Sequence, residues 1–256
     1  MSTARTTDKT VTEIVVVERG EATFHLIGDT PLVCNSMSFK AKGELLFPSG
    51  RKNAAERATS LKHNPIQEFR DSILRLDDGA PTLIALPAPA FKGAIRTAAL
   101  DLPGATKSQI GRLTYVNGYR VPVYGRPEIF MTGVRSADIS HTPDIRTRAI
   151  LPRWACTIIV TFAEPLIRAQ MVMRLLAAAG MVCGVGDGRP EKGALDFGTF
   201  HIVDAEDAEF LDIVATGARA AQLEAMMEAV PFDVETADLL TWFEREVDAR
   251  KLRGVA

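Results

Sequence analysis

The chain predicts an α+β fold: a ferredoxin-like or RRM-like βαββαβ core with insertions and a helical C-terminal extension. Two amphipathic stripes, at 90–100 and 166–179, lie between β-patterned segments in the order strand, helix, strands, strand, helix, strand. Polar stretches at 36–80 and 101–145 interrupt that order as insertions. From residue 204 the composition turns acidic and helical. The expected organisation is an N-terminal arm at 1–20, a core at 21–203 and an extension at 204–256.

The arm is polar and rich in Thr until Ile14-Val15-Val16-Val17, a short β-like run. Ala22–Ile27 alternates around Phe24 and Leu26, and residues 30–35 read as an extended continuation or bulge. Residues 40–62 show no firm period and read as an exposed insertion. Asn64-Pro65 starts a helix with Ile66, Phe69, Ile73, Leu74 and Leu76 as its apolar stripe. Thr82–Leu86 is a strand ended by Pro87-Ala88-Pro89. The helix that follows buries Phe91, Ala94, Ile95 and Ala98, and sets Lys92 and Arg96 on another face. Residues 120–134 read as a hairpin turning at Gly125-Arg126-Pro127. Ile145–Ile150 and Ala155–Phe162 are further strands, joined through Pro152-Arg153-Trp154, with Trp154 expected in the core. The second helix carries Ile167, Val172, Leu175 and Leu176 and ends at Gly180. A glycine-rich loop and a strand at 197–203 close the core. Three apolar stripes in the tail begin at Phe210, Leu223 and Leu239, with a break at Pro231.

Composition excludes several classes. The 256 residues are 46% hydrophobic and 24% charged, which is enough to fill a core and too apolar for a disordered chain. No apolar run approaches the roughly 18–20 residues that span a bilayer, and the first twenty residues lack a signal-like apolar segment. Cys34, Cys156 and Cys183 are far apart, as in a reducing compartment. The four histidines show no metal spacing, so no metal or cofactor is expected. A cytoplasmic protein is the expectation.

The net charge of −2 conceals a division. Residues 204–256 hold 13 acidic and 5 basic side chains, whereas 88–153 hold 10 basic and 4 acidic. A basic centre beside an acidic tail implies a polyanionic partner for the centre. The loop Gly184-Val185-Gly186-Asp187-Gly188-Arg189-Pro190-Glu191-Lys192-Gly193 adds four glycines, whose bare N–H groups can approach phosphate oxygens, beside two cations. It follows a helix and lacks Gly-Lys-Ser/Thr, so neither a dinucleotide fingerprint nor a P-loop fits. A tight structural connection is the other reading of those glycines.

These segments together resemble a known group. Pro87-Ala88-Pro89-Ala90-Phe91-Lys92-Gly93-Ala94-Ile95-Arg96 looks like the P-x-S-x-K-G-x-x-R signature of the RAMP superfamily, which includes backbone subunits of CRISPR effector complexes. Ala90 stands where that family often has Ser. The glycine-rich loop matches its second hallmark. Ile145–Trp154, followed by Gly186–Pro190, looks particularly like an uncharacterised phage-encoded branch, which would place the protein in a bacterial or phage-infected cell. The resemblance covers residues 20–203. It implies a modified RRM fold that holds one strand of nucleic acid, with copies packed side by side as a homo-oligomer or helical filament. Lys92 and Arg96 would face the strand, and Gly186, Gly188, Arg189 and Lys192 would touch its backbone. The hairpin around Arg126–Arg135 would act as the thumb that separates groups of bases.

Arg135, Arg146, Arg148 and Arg153 complete the expected phosphate contacts, with Arg146 and Arg148 on one face of a strand. Tyr115, Tyr119, Tyr124 and Phe130 are candidates for base stacking or for the core. The leading expectation is a non-catalytic protein that coats single-stranded DNA in phage replication or recombination. The alternatives are a guide-RNA-binding backbone subunit of a CRISPR-like complex and a metal-independent ribonuclease using Asp138, His141 and Asp144. A purely structural assembly protein is a further reading. The acidic tail is expected to pack on a neighbouring copy, or otherwise to cover the basic groove as a mimic of nucleic acid.

Overall fold

A computed structural model describes residues 15–47, 63–104, 106–135, 143–192 and 195–253. The chain is mixed α+β, with ten strands and eight α-helices among these residues. Strands β1 (Glu18–Gly28) and β9 (Ala155–Glu164) form the longest ladder, antiparallel from Glu18↔Glu164 to Ile27↔Ala155. β10 (Phe200–Val203) pairs with the outer side of β1. β6 (Arg120–Tyr124) pairs with β9, and β4 (Ile84–Pro87) and β3 (Leu74–Arg75) follow, giving the order β10-β1-β9-β6-β4-β3. β5 (Thr114–Val116) pairs with the other end of β9. A second antiparallel sheet has the order β2-β8-β7, from Leu32–Val33, Pro143–Leu151 and Glu128–Arg135.

Alternation along β1 sends Phe24 and Leu26 to the main core. There they meet α3 (Ala88–Ala98) through Phe91, Ala94, Ile95 and Ala98, and α5 (Ala169–Val182) through Val172, Leu175, Leu176 and Ala179. The opposite face of β1 carries Ile27, which joins Ala155 beneath Phe210 and Ile213 of α6 (Ala208–Thr216). The first stripe of the tail therefore packs on the core of its own chain, whereas Trp242 of the third stripe is exposed. α7 (Arg219–Met227) is anchored by Gln222, which is fully buried. The Gln222 side chain accepts from the N–H groups of Leu83 and Ile84 at 2.7 and 3.0 Å and donates to carbonyls of Val123, Gly125 and Gly217. α8 (Val234–Arg253) reaches β7 through the buried Thr236, whose hydroxyl accepts from Met131 N–H.

Several local expectations are corrected. Val15–Val17 are exposed and outside any strand, because β9 ends at the partner of Glu18 and leaves them nothing to pair with. Part of the insertion after residue 39 is helical, α1 (Phe39–Leu46), capped by Ser38. The helix at Asn64 is short, α2 (Pro65–Asp71), and Leu74–Arg75 continue as β3. α4 (Lys107–Leu113) and β5 carry a weaker pattern that sequence reading left unassigned. Residues 120–134 are not a hairpin. β6 and β7 belong to different sheets, and β7 is the antiparallel neighbour of β8. The chain changes sheets twice at one corner, after β6 and after β8. There Gly125 lies so close to the Arg153 carbonyl that a Cβ would stand 2.4 Å from it.

Gly180 is not a cap but an interior residue of α5, where a Cβ would come within 1.9 Å of the Phe200 carbonyl. The helix is closed instead by Gly184 at φ +65°, whose N–H returns to the Ala179 carbonyl. Further on, Gly198 combines φ +71° with a Cβ position 1.8 Å from the Val185 carbonyl. Gly198→Ala is therefore expected to lower stability by about 3 kcal/mol or more, combining left-handed backbone strain with a backbone clash. A urea melt checks it, and an unchanged midpoint would contradict this packing.

No described helix is long and apolar enough to cross a membrane, and no group of three or more potential metal ligands occurs among the described residues. Cys34, Cys156 and Cys183 are buried thiols. Burial raises the pKa of Cys34 to about 12 and that of Cys183 to about 11, which suppresses thiolate chemistry.

Candidate nucleic-acid interface

A cleft of about 600 Å³ lies between α3 and the glycine-rich loop. Pro89, Gly93, Arg96 and Thr97 line it from α3, with the spacing of a single helical face. Lys107 enters from α4, and Gly186, Asp187, Arg189, Glu191 and Lys192 form the opposite wall. Asn35, Ser36 and Ser72 close one end. Four cationic side chains thus face two carboxylates, and both carboxylates are already engaged. Asp187 pairs with Arg148, while Glu191 accepts from Arg189 Nε and from Thr97 Oγ1, each at 3.1 Å. Burial alone would raise the Glu191 pKa. Hydrogen bonds from Arg189 and Thr97, with the charges of Arg189 and Lys192, hold it below the usual carboxylate value instead. Arg96, Lys107 and Lys192 make no ion pair among the described residues.

The loop's glycines are set by contacts within the protein. Gly186 has φ +83°, and a Cβ there would strike Leu32 and the Val33 carbonyl. Asp187 N–H donates to that carbonyl and Val185 N–H to Gly198. The N–H groups of Gly186 and Gly188 have no backbone partner among the described residues. Gly188, at φ +65°, backs onto Phe197 and Leu195 and lies outside the cleft lining. Gly193 lies outside the described residues.

Of the expected contacts, Arg96, Gly186, Arg189 and Lys192 share the cleft, and Lys107 is a cation that sequence reading missed. Its signal was present as the first cation of an unassigned segment, but nothing local aligned it with Arg96. Lys92 sits one step round α3, its Nζ 4.4 Å from the centroid of the exposed Tyr115 ring. Arg126 pairs with Glu224 at 3.3 Å, and Arg153 pairs with Glu209 and Asp212 at 3.3 and 3.1 Å. Both are held by the acidic tail, away from the cleft. Arg135 ends β7 opposite Pro143, in the β7–β8 pair rather than the β6–β7 hairpin expected as a thumb. Arg146 and Arg148 line a second cavity, which shares Asn35, Ser36 and Ser72 with the first. Tyr119 is exposed, whereas Tyr124 packs under α6, and Phe130 is flanked edge-on by Phe197 and Phe232. Trp154 is fully buried and donates to the Thr30 carbonyl.

The face of the main sheet opposite α3 and α5 is occupied. α6 covers one end, and Glu21 at the other accepts from Asn117 and lies 3.8 Å from Arg19. Of the proposed acid–base residues, Asp138 and His141 lie outside the described residues. Asp144 is 3.0 Å from His63 Nε2, and His63 Nδ1 is 3.0 Å from Glu68.

No family model matches this sequence, and no curated protein does. Among solved structures the chain is similar to Cmr6 from Pyrococcus furiosus, with 9% identity and a TM-score of 0.38, over 73% of this chain and 98% of that one. It is also similar to a chain in the Type III-B Cmr-beta complex bound to cognate target RNA, with 11% identity and a TM-score of 0.29, over 71% of this chain and 59% of that one.

Proposed function

We propose that this protein binds a single strand of nucleic acid without cutting it, as an RNA-binding backbone subunit of a CRISPR-like complex. The observation that carries the reading is the cleft lined by Arg96, Lys107 and Lys192, which make no ion pair among the described residues. Cations in excess of carboxylates along a groove suit a phosphodiester chain, whose negative charges recur at short intervals. The strand order β10-β1-β9-β6, with helices after the first and third of the core strands, supports a ferredoxin-like reading of the core. The motif at Pro87–Arg96 and the loop residues Gly186–Lys192, which resemble the RAMP superfamily, frame the same cleft.

Coating of single-stranded DNA in phage replication or recombination would use the same cleft, and strand preference separates the two readings. Fluorescence anisotropy with labelled RNA and DNA oligomers is expected to show tighter binding to RNA. Affinity is expected to fall with salt at a logarithmic slope of about −2 to −3, since each single-strand phosphate contact adds about −0.7. Tighter binding to DNA would favour the coating role. Weak, salt-insensitive binding to both would overturn the proposal. Side-by-side assembly is tested by mass measurement with and without oligomer, where growth with oligomer length is expected.

A further inference from the structure

We infer that the second cavity is a subsite that takes one nucleotide of the bound strand and reads its base. The inference rests on the proposed strand-binding function. The cavity measures about 520 Å³, within the roughly 300–1,000 Å³ typical of small-molecule sites, and is larger than a lone phosphate needs. It opens from the cleft, because Asn35, Ser36 and Ser72 line both. A strand leaving the cleft at that end meets it directly.

Its chemistry is that of a polar recognition pocket. Residues two apart on a strand share a face, so Arg146 and Arg148 project together from β8. Arg146 is exposed, whereas Arg148 is only 7% exposed. Asp187 engages Arg148 through one terminal nitrogen, and the buried Nε has no hydrogen-bond partner among the described residues. The buried Thr147 hydroxyl also has none. Buried donors of this kind are rare in folded proteins and mark places where a partner belongs. Burial lowers the pKa of Arg148, an effect that Asp187 opposes and Arg146 reinforces. An incoming acceptor would satisfy the Arg148 Nε. The acidic side of the cavity is tied up, since Glu68 and Asp144 are bridged by His63. Phosphate oxygens are therefore directed to Arg146, and the base to Asn35 and the free edge of Arg148.

The test is a position-by-position scan on the shortest RNA oligomer bound at full affinity. Each base is removed in turn to leave an abasic sugar, then replaced by each of the four bases. One position is expected to lose about tenfold on base removal and to differ in affinity among the four bases. Asn35→Ala, which removes the amide from the cavity, is expected to flatten that position. Arg146→Ala is expected to weaken all sequences alike. A flat scan on a strand that still binds tightly and depends on Lys107 and Lys192 overturns the base-reading subsite alone. An oligomer whose binding ignores those two lysines overturns the strand-binding reading as well.

Discussion

Reversing Lys107 and Lys192 together to glutamate is expected to weaken binding of a single-stranded oligomer at least a hundredfold while leaving the melting temperature nearly unchanged. Each contributes a charge-assisted contact worth about 1.5–3 kcal/mol, or roughly one to two powers of ten in affinity. Both sit on the cleft wall without an ion pair among the described residues, so their replacement removes attraction without stranding a buried partner. The salt slope should fall by about 0.7 for each contact removed. Arg126→Ala and Arg153→Ala provide the contrast. Their partners are Glu224, Glu209 and Asp212, all well exposed, and such pairs contribute little to stability. These two variants are expected to change affinity by less than about threefold. If they weaken binding as strongly as the lysine pair does, the strand runs along the tail and not through the cleft. Anisotropy titrations of the three variants at one salt concentration decide between these paths.

The second large effect concerns the joint between tail and core. Gln222→Ala is expected to lower stability by about 4 kcal/mol, near the upper end for a point substitution. The side chain serves five backbone groups, on the segment entering β4, on the corner after β6 and on Gly217. Removing it leaves buried N–H and C=O groups without partners, at about 1–3 kcal/mol for each that water cannot reach. Gln222→Glu is the sharper variant. A carboxylate cannot donate to the three carbonyls, so the ionised form is excluded and the folded protein raises the pKa of this group. The sign follows. Stability is greatest below the ordinary carboxylate pKa and is lost as pH rises through the raised folded value. Thermal melts of this variant at pH 4 and pH 7 should differ in that direction. Equal melts would mean that the tail joint does not depend on a donor at this position.

Much of the core could be read locally. The stripes of α3 and α5 and the β-branched run of β9 are each decided by neighbours three to four, or two, positions away. The supposed hairpin at Gly125 failed for the opposite reason. A turn between two strands looks the same in sequence whether the second strand folds back on the first or crosses to another sheet. Gly180 misled similarly, since its lack of a side chain serves the Phe200 backbone, which lies 20 residues further along.

At the candidate interface the same division recurs, residue by residue. Arg96, Arg189 and Lys192 were visible as cations beside motifs, and the cleft gathers them. Arg126 and Arg153 carried the same charge in the same basic stretch, yet Glu224, Glu209 and Asp212 reach them from a tail more than fifty residues away. The amino-acid order by itself determined the alternation of strands and helices, the two apolar helical faces, and the separation of a basic centre from an acidic end. Those properties depend on periodicity and composition, which act over a few residues. Only the tertiary structure decided which cations remain unpaired and which sheet each strand joins. It also decided that the acidic helices cover their own sheet and leave the cleft open. Charge pairing and backbone closeness depend on distance in space, and segments far apart in the chain set that distance.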